Sequence, residues 1–139
     1  MAGARKRRIL VLDDDSGILE MIREALVRAG YEVELAGTCD DGMRIFRKKR
    51  IDLAIVDIFM PDKDGLETLM EMRRSSKDAK VLAISGGGNI GFGQALALAE
   101  KLGAKATMAK PFTPDELVAK VAQLFKGSAR ENTKSDSST

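Results

Sequence analysis

Asp13, Asp14, Asp57, Ser85 and Lys110 are residue types that can act together on an anionic oxygen substrate, and each follows a short apolar run. Asp13, Asp14 and Asp15 come directly after Ile9 to Leu12, and Asp57 directly after Leu53 to Val56. Ser85 follows Val81 to Ile84, and Lys110 follows the weaker run Ala104 to Ala109. Clustered carboxylates repel one another and raise each other's pKa values unless a cation sits among them. Mg²⁺ suits such a cluster, since it takes about six oxygens at ~2.1 Å, often carboxylates, waters and a phosphate oxygen. Asp57, opposite the other two, is placed to be a carboxylate nucleophile. Phosphoryl transfer needs in-line positioning and charge neutralisation more than acid–base chemistry. Mg²⁺, the Lys110 ammonium and the Ser85 hydroxyl can share that task. The chain has no histidine, which excludes imidazole zinc sites, Ser-His-Asp triads and a phosphohistidine carrier.

These residues need a scaffold that brings strand ends together. The tetrapeptides Ile9 to Leu12, Leu53 to Val56 and Val81 to Ile84 are continuously apolar, which predicts parallel strands buried on both faces. Val33 and Leu35 alternate with Glu32 and Glu34, as on a half-exposed edge strand. Helical periods lie between the runs. Ile18, Ile22, Ala25 and Ala29 share one face of the first helix, and Ala95, Leu98, Ala99 and Leu102 one face of the fourth. Asp64 to Glu67 has capping-box-like spacing before the third helix. Thr113-Pro114-Asp115-Glu116 is a capping box with proline at the first helical position, and Leu117, Val121 and Leu124 form the stripe behind it. Five β–α units of this kind predict a doubly wound α/β fold. In such sheets ligands bind outside the carboxyl ends of the strands, where the candidate residues fall.

The length of 139 residues suits one domain. Residues 1–6 read as a basic lead-in, 7–126 as the domain and 127–139, rich in Ser, Thr and charge, as a disordered tail. A net charge of +2 argues for no polyanionic partner, and Arg5-Lys6-Arg7-Arg8 reads as a solvated approach to the first strand. Cys39 is the only cysteine, and no apolar stretch approaches the ~20 residues of a membrane span, so a cytoplasmic location is expected.

The segments LVLDDDS (Leu10 to Ser16), VDIFMPDKDGLE (Val56 to Glu67), ISGGG (Ile84 to Gly88) and LGAKATMAKPF (Leu102 to Phe112) occur in the order and spacing of bacterial two-component response regulators. The chain resembles their receiver domain, in its single-domain, chemotaxis-regulator-like form, over roughly residues 7 to 126. That resemblance implies a flavodoxin-like strand order of 2-1-3-4-5 with helices on both faces. It implies that Asp57 is the phospho-acceptor and that Asp13, Asp14 and the Phe59 backbone carbonyl join it around Mg²⁺, with Mn²⁺ as a substitute. Lys110 would contact the phosphoryl group, Ser85 would be the switch hydroxyl, and the bond before Pro111 would be cis. The donor would be a histidine kinase or histidine phosphotransfer protein. Because the chain ends shortly after the fifth helix, output is expected through a downstream protein on the helix 4, strand 5 and helix 5 face. No direct nucleic-acid contact or membrane insertion is expected, and a homodimer is left open. The domain would catalyse only its own phosphorylation and slow dephosphorylation.

Two positions depart from the family pattern. Thr107 stands where an aromatic switch residue is common, so a relay through backbone and helix movement is expected instead. Phe59 lies at the site mouth, where polar residues are common, and either hinders attacking water or packs on the next loop. Gly86 and Gly87, with Gly88, lack the continuation of a phosphate-cradling loop and read as a flexible connection that reorders on activation. Two alternatives stay open: an aspartate-nucleophile phosphohydrolase using Asp13-x-Asp15, and a receiver-like scaffold that works without phosphorylation.

Overall fold

The computed structural model describes residues 5–60, 65–86 and 92–137. The three apolar runs become the centre of a five-stranded parallel sheet. It comprises β1 (Arg8–Leu12), β2 (Glu32–Ala36), β3 (Leu53–Asp57), β4 (Val81–Gly86) and β5 (Ala106–Lys110), in the order β2-β1-β3-β4-β5. All five residues of β3 are buried, as a central strand covered on both sides requires. The alternating segment forms edge strand β2, and the weakest run forms the other edge, β5. The helices are α1 (Ser16–Arg28), α2 (Cys39–Lys48), α3 (Gly65–Ser75), α4 (Phe92–Lys101) and α5 (Pro114–Ser137).

Alternation along each strand divides the core in two. Leu10, Leu12, Ala54, Val56, Val81 and Ala83 face α2, α3 and α4, where Met43, Met72 and Ala99 meet them. Ile9, Val11, Leu53, Ile55, Leu82 and Ile84 face α1 and α5, packing on Ile22, Leu26, Leu117, Val121 and Phe125. Two helical stripes differ from the sequence expectation. Ala29 is the exposed C-cap of α1, and Leu26 takes the buried place. In α4 Leu98 is exposed while Leu96 packs on the core, because the small Ala95 and Ala99 let the helix settle with that side inward.

Helix starts follow local chemistry. Asp15 caps α1, its Oδ1 accepting from Gly17 N at 2.8 Å and Ile18 N at 3.2 Å. Thr38 caps α2 through Asp41 N. The α5 capping box is reciprocal: Glu116 N donates to Thr113 Oγ1 and Thr113 N to Glu116 Oε1. The helix α5 runs through Ser137. Asp64, the expected capping residue of α3, lies outside the described residues.

One glycine bears directly on the strand-end geometry. A Cβ on Gly65 would stand 2.4 Å from both the Asp57 carbonyl oxygen and Ile58 Cα. The first turn of α3 thus lies against the backbone that carries Asp57, with Gly65 N donating to Ile58 O at 3.2 Å. Overpacking of this kind costs about 1–3 kcal/mol, against a gain of ~1 kcal/mol in helix propensity. Because both close contacts are with backbone, the upper half of that cost applies, and Gly65→Ala is expected to lose about 1–2 kcal/mol of stability net. A urea titration giving an unchanged midpoint would refute that close approach.

Candidate functional site

The carboxyl edge of the sheet gathers what the sequence separates. Asp13 leaves β1, Asp57 ends β3, Ser85 lies on β4 and Lys110 ends β5. Asp13, Asp57 and Ser85 are buried, Asp57 being only 3% exposed. Lys110 Nζ bridges the first two. It donates to Asp57 Oδ2 at 3.1 Å and stands 2.7 Å from Asp13 Oδ2. The latter contact pairs charges without the directed geometry of a hydrogen bond. The other oxygens are held by backbone: Asp13 Oδ1 accepts from Asp15 N at 3.0 Å, and Asp57 Oδ1 from Phe59 N at 2.9 Å.

Burial is the main reason that the Asp57 carboxyl is pushed above its ordinary pKa. The Phe59 N–H and the Lys110 charge oppose the shift, and Asp13 adds to it. For Lys110 burial works against the charged amine, but contact with Asp13 and attraction to Asp57 outweigh it and hold the pKa above its ordinary value. One ammonium therefore serves two buried carboxylates, with Asp14 exposed beside them. Carboxylate oxygens of Asp13, Asp14 and Asp57 lie within 4.8 Å of one another. Three carboxylates against one ammonium leave an excess of negative charge and oxygen ligands, which fits a hard divalent cation.

Ser85 Oγ is buried and has no hydrogen-bond partner among the described residues. Thr107 lies level with Ala83 and, by strand alternation, on the same side of the sheet as Ser85. The Phe59 ring is 51% exposed, so it is not packed away as a core aromatic. Gly86 closes β4, and a Cβ there would come within 3.9 Å of Lys110 Cδ. Gly87 and Gly88 lie outside the described residues. The Lys110–Pro111 bond is cis, as the resemblance implied. Asp15 is occupied as the α1 cap, which removes it from the paired-aspartate arrangement a phosphohydrolase would need. The role of Gly65 was missed in the sequence, although it lies within the quoted Val56 to Glu67 segment; its signal was a glycine where the chain turns back onto β3.

Ionised Asp57 strains the fold because its pKa is raised. Between its unfolded pKa near 3.8 and its higher folded value, the unfolded chain loses the proton first, so stability falls with rising pH. Asp57→Asn is therefore expected to melt higher than the native chain at pH 7 in divalent-free buffer. Each ~1 kcal/mol relieved corresponds to roughly 2–8 °C. The gap should close below pH 3.8, where both states of the native chain hold the proton. A lower Tm for the variant at pH 7 would contradict the direction of the shift.

Residues 9–122 match the family model described as the response regulator receiver domain. The response regulator MprA of Mycobacterium leprae is 32% identical over 119 residues, covering 86% of this chain and 51% of the relative. The chain spans about half the length of the curated relatives it matches. Among solved structures, the CheY-like receiver domain protein of Methanospirillum hungatei superposes with a TM-score of 0.83 at 29% identity, over 91% of this chain and 99% of that one. NtrX of Brucella abortus gives 0.85 at 28% identity, over 95% of this chain and 29% of that one. MprA is named a response regulator and the Methanospirillum hungatei protein a response regulator receiver domain protein; neither is named a phosphohydrolase. The strand order agrees with the match, and the chain belongs to the response regulator receiver domain family.

Proposed function

We propose that this domain accepts a phosphoryl group on Asp57 from a phosphohistidine of a histidine kinase or phosphotransfer protein. The observation that carries the reading is the buried Asp57 carboxylate, with Lys110 Nζ at 3.1 Å and the acidic pair Asp13 and Asp14 beside it. A lone pair of Asp57 would form the new O–P bond as the P–N bond to the donor imidazole breaks, its electron pair leaving with the imidazole. Mg²⁺, or Mn²⁺ in its place, held by Asp13, Asp14, Asp57 and the Phe59 carbonyl, would supply charge neutralisation for the phosphoryl oxygens. Lys110 would keep its ion pair by exchanging an Asp57 oxygen for a phosphoryl oxygen. The same donor and acceptor groups would carry the slow loss of the phosphoryl group to water.

Ser85 supplies the reason for a conformational response. Ser85 Oγ is buried with no partner among the described residues, and a phosphoryl oxygen would give it an acceptor, a hydrogen bond whose absence costs a buried hydroxyl about 1–3 kcal/mol. Phosphorylation would favour whichever conformer makes that bond, to the extent of the free energy gained. Thr107 offers no ring to rotate, so the change would pass through the β4 backbone at Gly86 to α4 and on to a downstream protein at the α4, β5 and α5 face. Among the described residues no helix is long and apolar enough to cross a membrane, in keeping with a cytoplasmic site of action.

Intact-mass measurement after incubation with a small acyl phosphate is expected to show one added phosphoryl group. The adduct should require Mg²⁺ and be absent in Asp57→Asn. An adduct surviving that substitution would overturn the assignment, and its absence in the native chain with Mg²⁺ would favour the phosphorylation-independent scaffold. The half-exposed Phe59 ring further implies restricted access of water. Phe59→Asn is expected to shorten the phosphoryl lifetime by about tenfold, or ~1.4 kcal/mol in the barrier. Equal decay rates would remove Phe59 from that role.

A further inference from the structure

The amino edge of the sheet, opposite the acidic site, is lined by three cavities. A cavity of about 450 Å³ lies between Arg5, Arg7, Arg50 and Asp52. The next, about 300 Å³, shares Arg50 and adds Arg47 and Lys49. The third, about 680 Å³, is bordered by Arg73, Lys77, Lys80, Lys105 and Asp78. The first two share Arg50, and the second and third border successive residues of the α3–β4 connection, so the three together make a basic band along this edge. Lysine and arginine supply nine of its lining residues and aspartate two, which gives the band a strongly positive sign.

Part of that charge has a structural use. Arg47 and Arg73 lie in the last turns of α2 and α3, where cations complement the helix dipole. Arg50 pairs with Asp52, Lys49 with Glu34 and Arg47 with Glu71. Arg73 donates to the carbonyls of Lys77 and Ala79, and Arg7 covers the Phe125 ring. Lys77 and Lys105 are different. Both are exposed, both lie in loops that lead into strands, and neither makes an ion pair among the described residues. Their charges are therefore open to an anion from outside the chain.

We propose that this edge binds the phosphodiester backbone of a nucleic acid without reading its sequence. The inference does not depend on phosphoryl acceptance by Asp57. From β1 to β5 are three strand spacings of ~4.8 Å, or roughly 14 Å, the axial length of about four phosphates on one duplex strand at ~3.4 Å each. Guanidinium forks and ammonium groups in line match such a repeating anion. A bilayer is a poorer fit, because the band is made of cavities and none of the exposed large apolar side chains, Val27, Phe59 and Leu98, lines it. The net charge of +2 conceals this surface, since it sums over the whole chain and does not report where the charges lie.

The test is fluorescence anisotropy of the full chain with labelled random-sequence duplex DNA, single-stranded DNA and RNA, between about 50 and about 200 mM salt. Expected is sequence-independent binding with Kd of about 10⁻⁴–10⁻⁶ M, and log K falling against log salt with a slope near −3 to −4 for the duplex. The preferred nucleic acid identifies the source of the phosphates. Lys77→Glu with Lys105→Glu should weaken binding at least about tenfold and reduce the slope by about 2, whereas Lys77→Arg with Lys105→Arg should retain it. No binding at the lowest salt, or equal binding by the glutamate variant, would overturn the proposal. So would tighter binding to polyglutamate or to phosphatidylserine-containing vesicles than to nucleic acid.

Discussion

Two carboxylates buried at the ends of neighbouring strands can coexist in this molecule because one ammonium stands between them. Asp13 and Asp57 are nearly inaccessible, and Lys110 reaches both from the edge strand. Removing charge from water is costly, and a buried pair is tolerated only with close contact and further hydrogen bonds. Both are present, since backbone amides of Asp15 and Phe59 hold the remaining carboxylate oxygens. The compensation is incomplete, and the Asp57 carboxyl stays above its ordinary pKa. A site with negative charge in excess of its own cation is suited to hold another cation and the oxygens that come with it.

The surrounding fold serves that arrangement. Parallel strands bring every carboxyl end to one edge, and right-handed crossovers return the chain each time to the opposite edge. The register sets Asp57 beside Ile84 and Gly86 beside Lys110, which places the lysine within reach across β4. Gly65 then lets α3 approach the β3 backbone at a distance no Cβ would allow. The same directionality separates charge over the molecule. Helix last turns carry Arg28, Arg47, Lys48, Arg73, Arg74 and Lys101, at the edge away from the acidic site. Dipole complementarity therefore begins a charge asymmetry that the strand-entry loops extend.

Ser85 and Phe59 illustrate how position alters the meaning of a residue type. A serine is ordinarily satisfied by neighbouring polar groups, but here its hydroxyl is buried near the end of β4 with no partner among the described residues. A phenylalanine is ordinarily core, but here the ring stands half in solvent beside the acidic cluster while its amide serves Asp57. Both are local departures from good packing, and both lie at the chemistry. Such departures tend to concentrate at functional sites, where they are compensated by the rest of the fold.

The sequence alone determined the architecture and which residues gather at the carboxyl edge of the sheet. Continuous apolar runs marked the buried strands, because a strand covered on both faces has no polar side to alternate. The residue after each run named Asp13, Asp57 and Ser85, because strand ends in a parallel sheet converge. The capping box at Thr113 was equally legible, being a matter of local hydrogen bonding. Tertiary structure decided what depends on distant neighbours. Helix faces shifted by a residue or two, as for Ala29 and Leu98, since packing against the sheet and not periodicity sets the rotation. That Asp15 caps a helix while Asp13 pairs with Lys110 follows from the direction of the backbone as β1 ends. The basic edge was illegible for the same reason: its cations are scattered from Arg5 to Lys105, and only the crossovers bring them to one side.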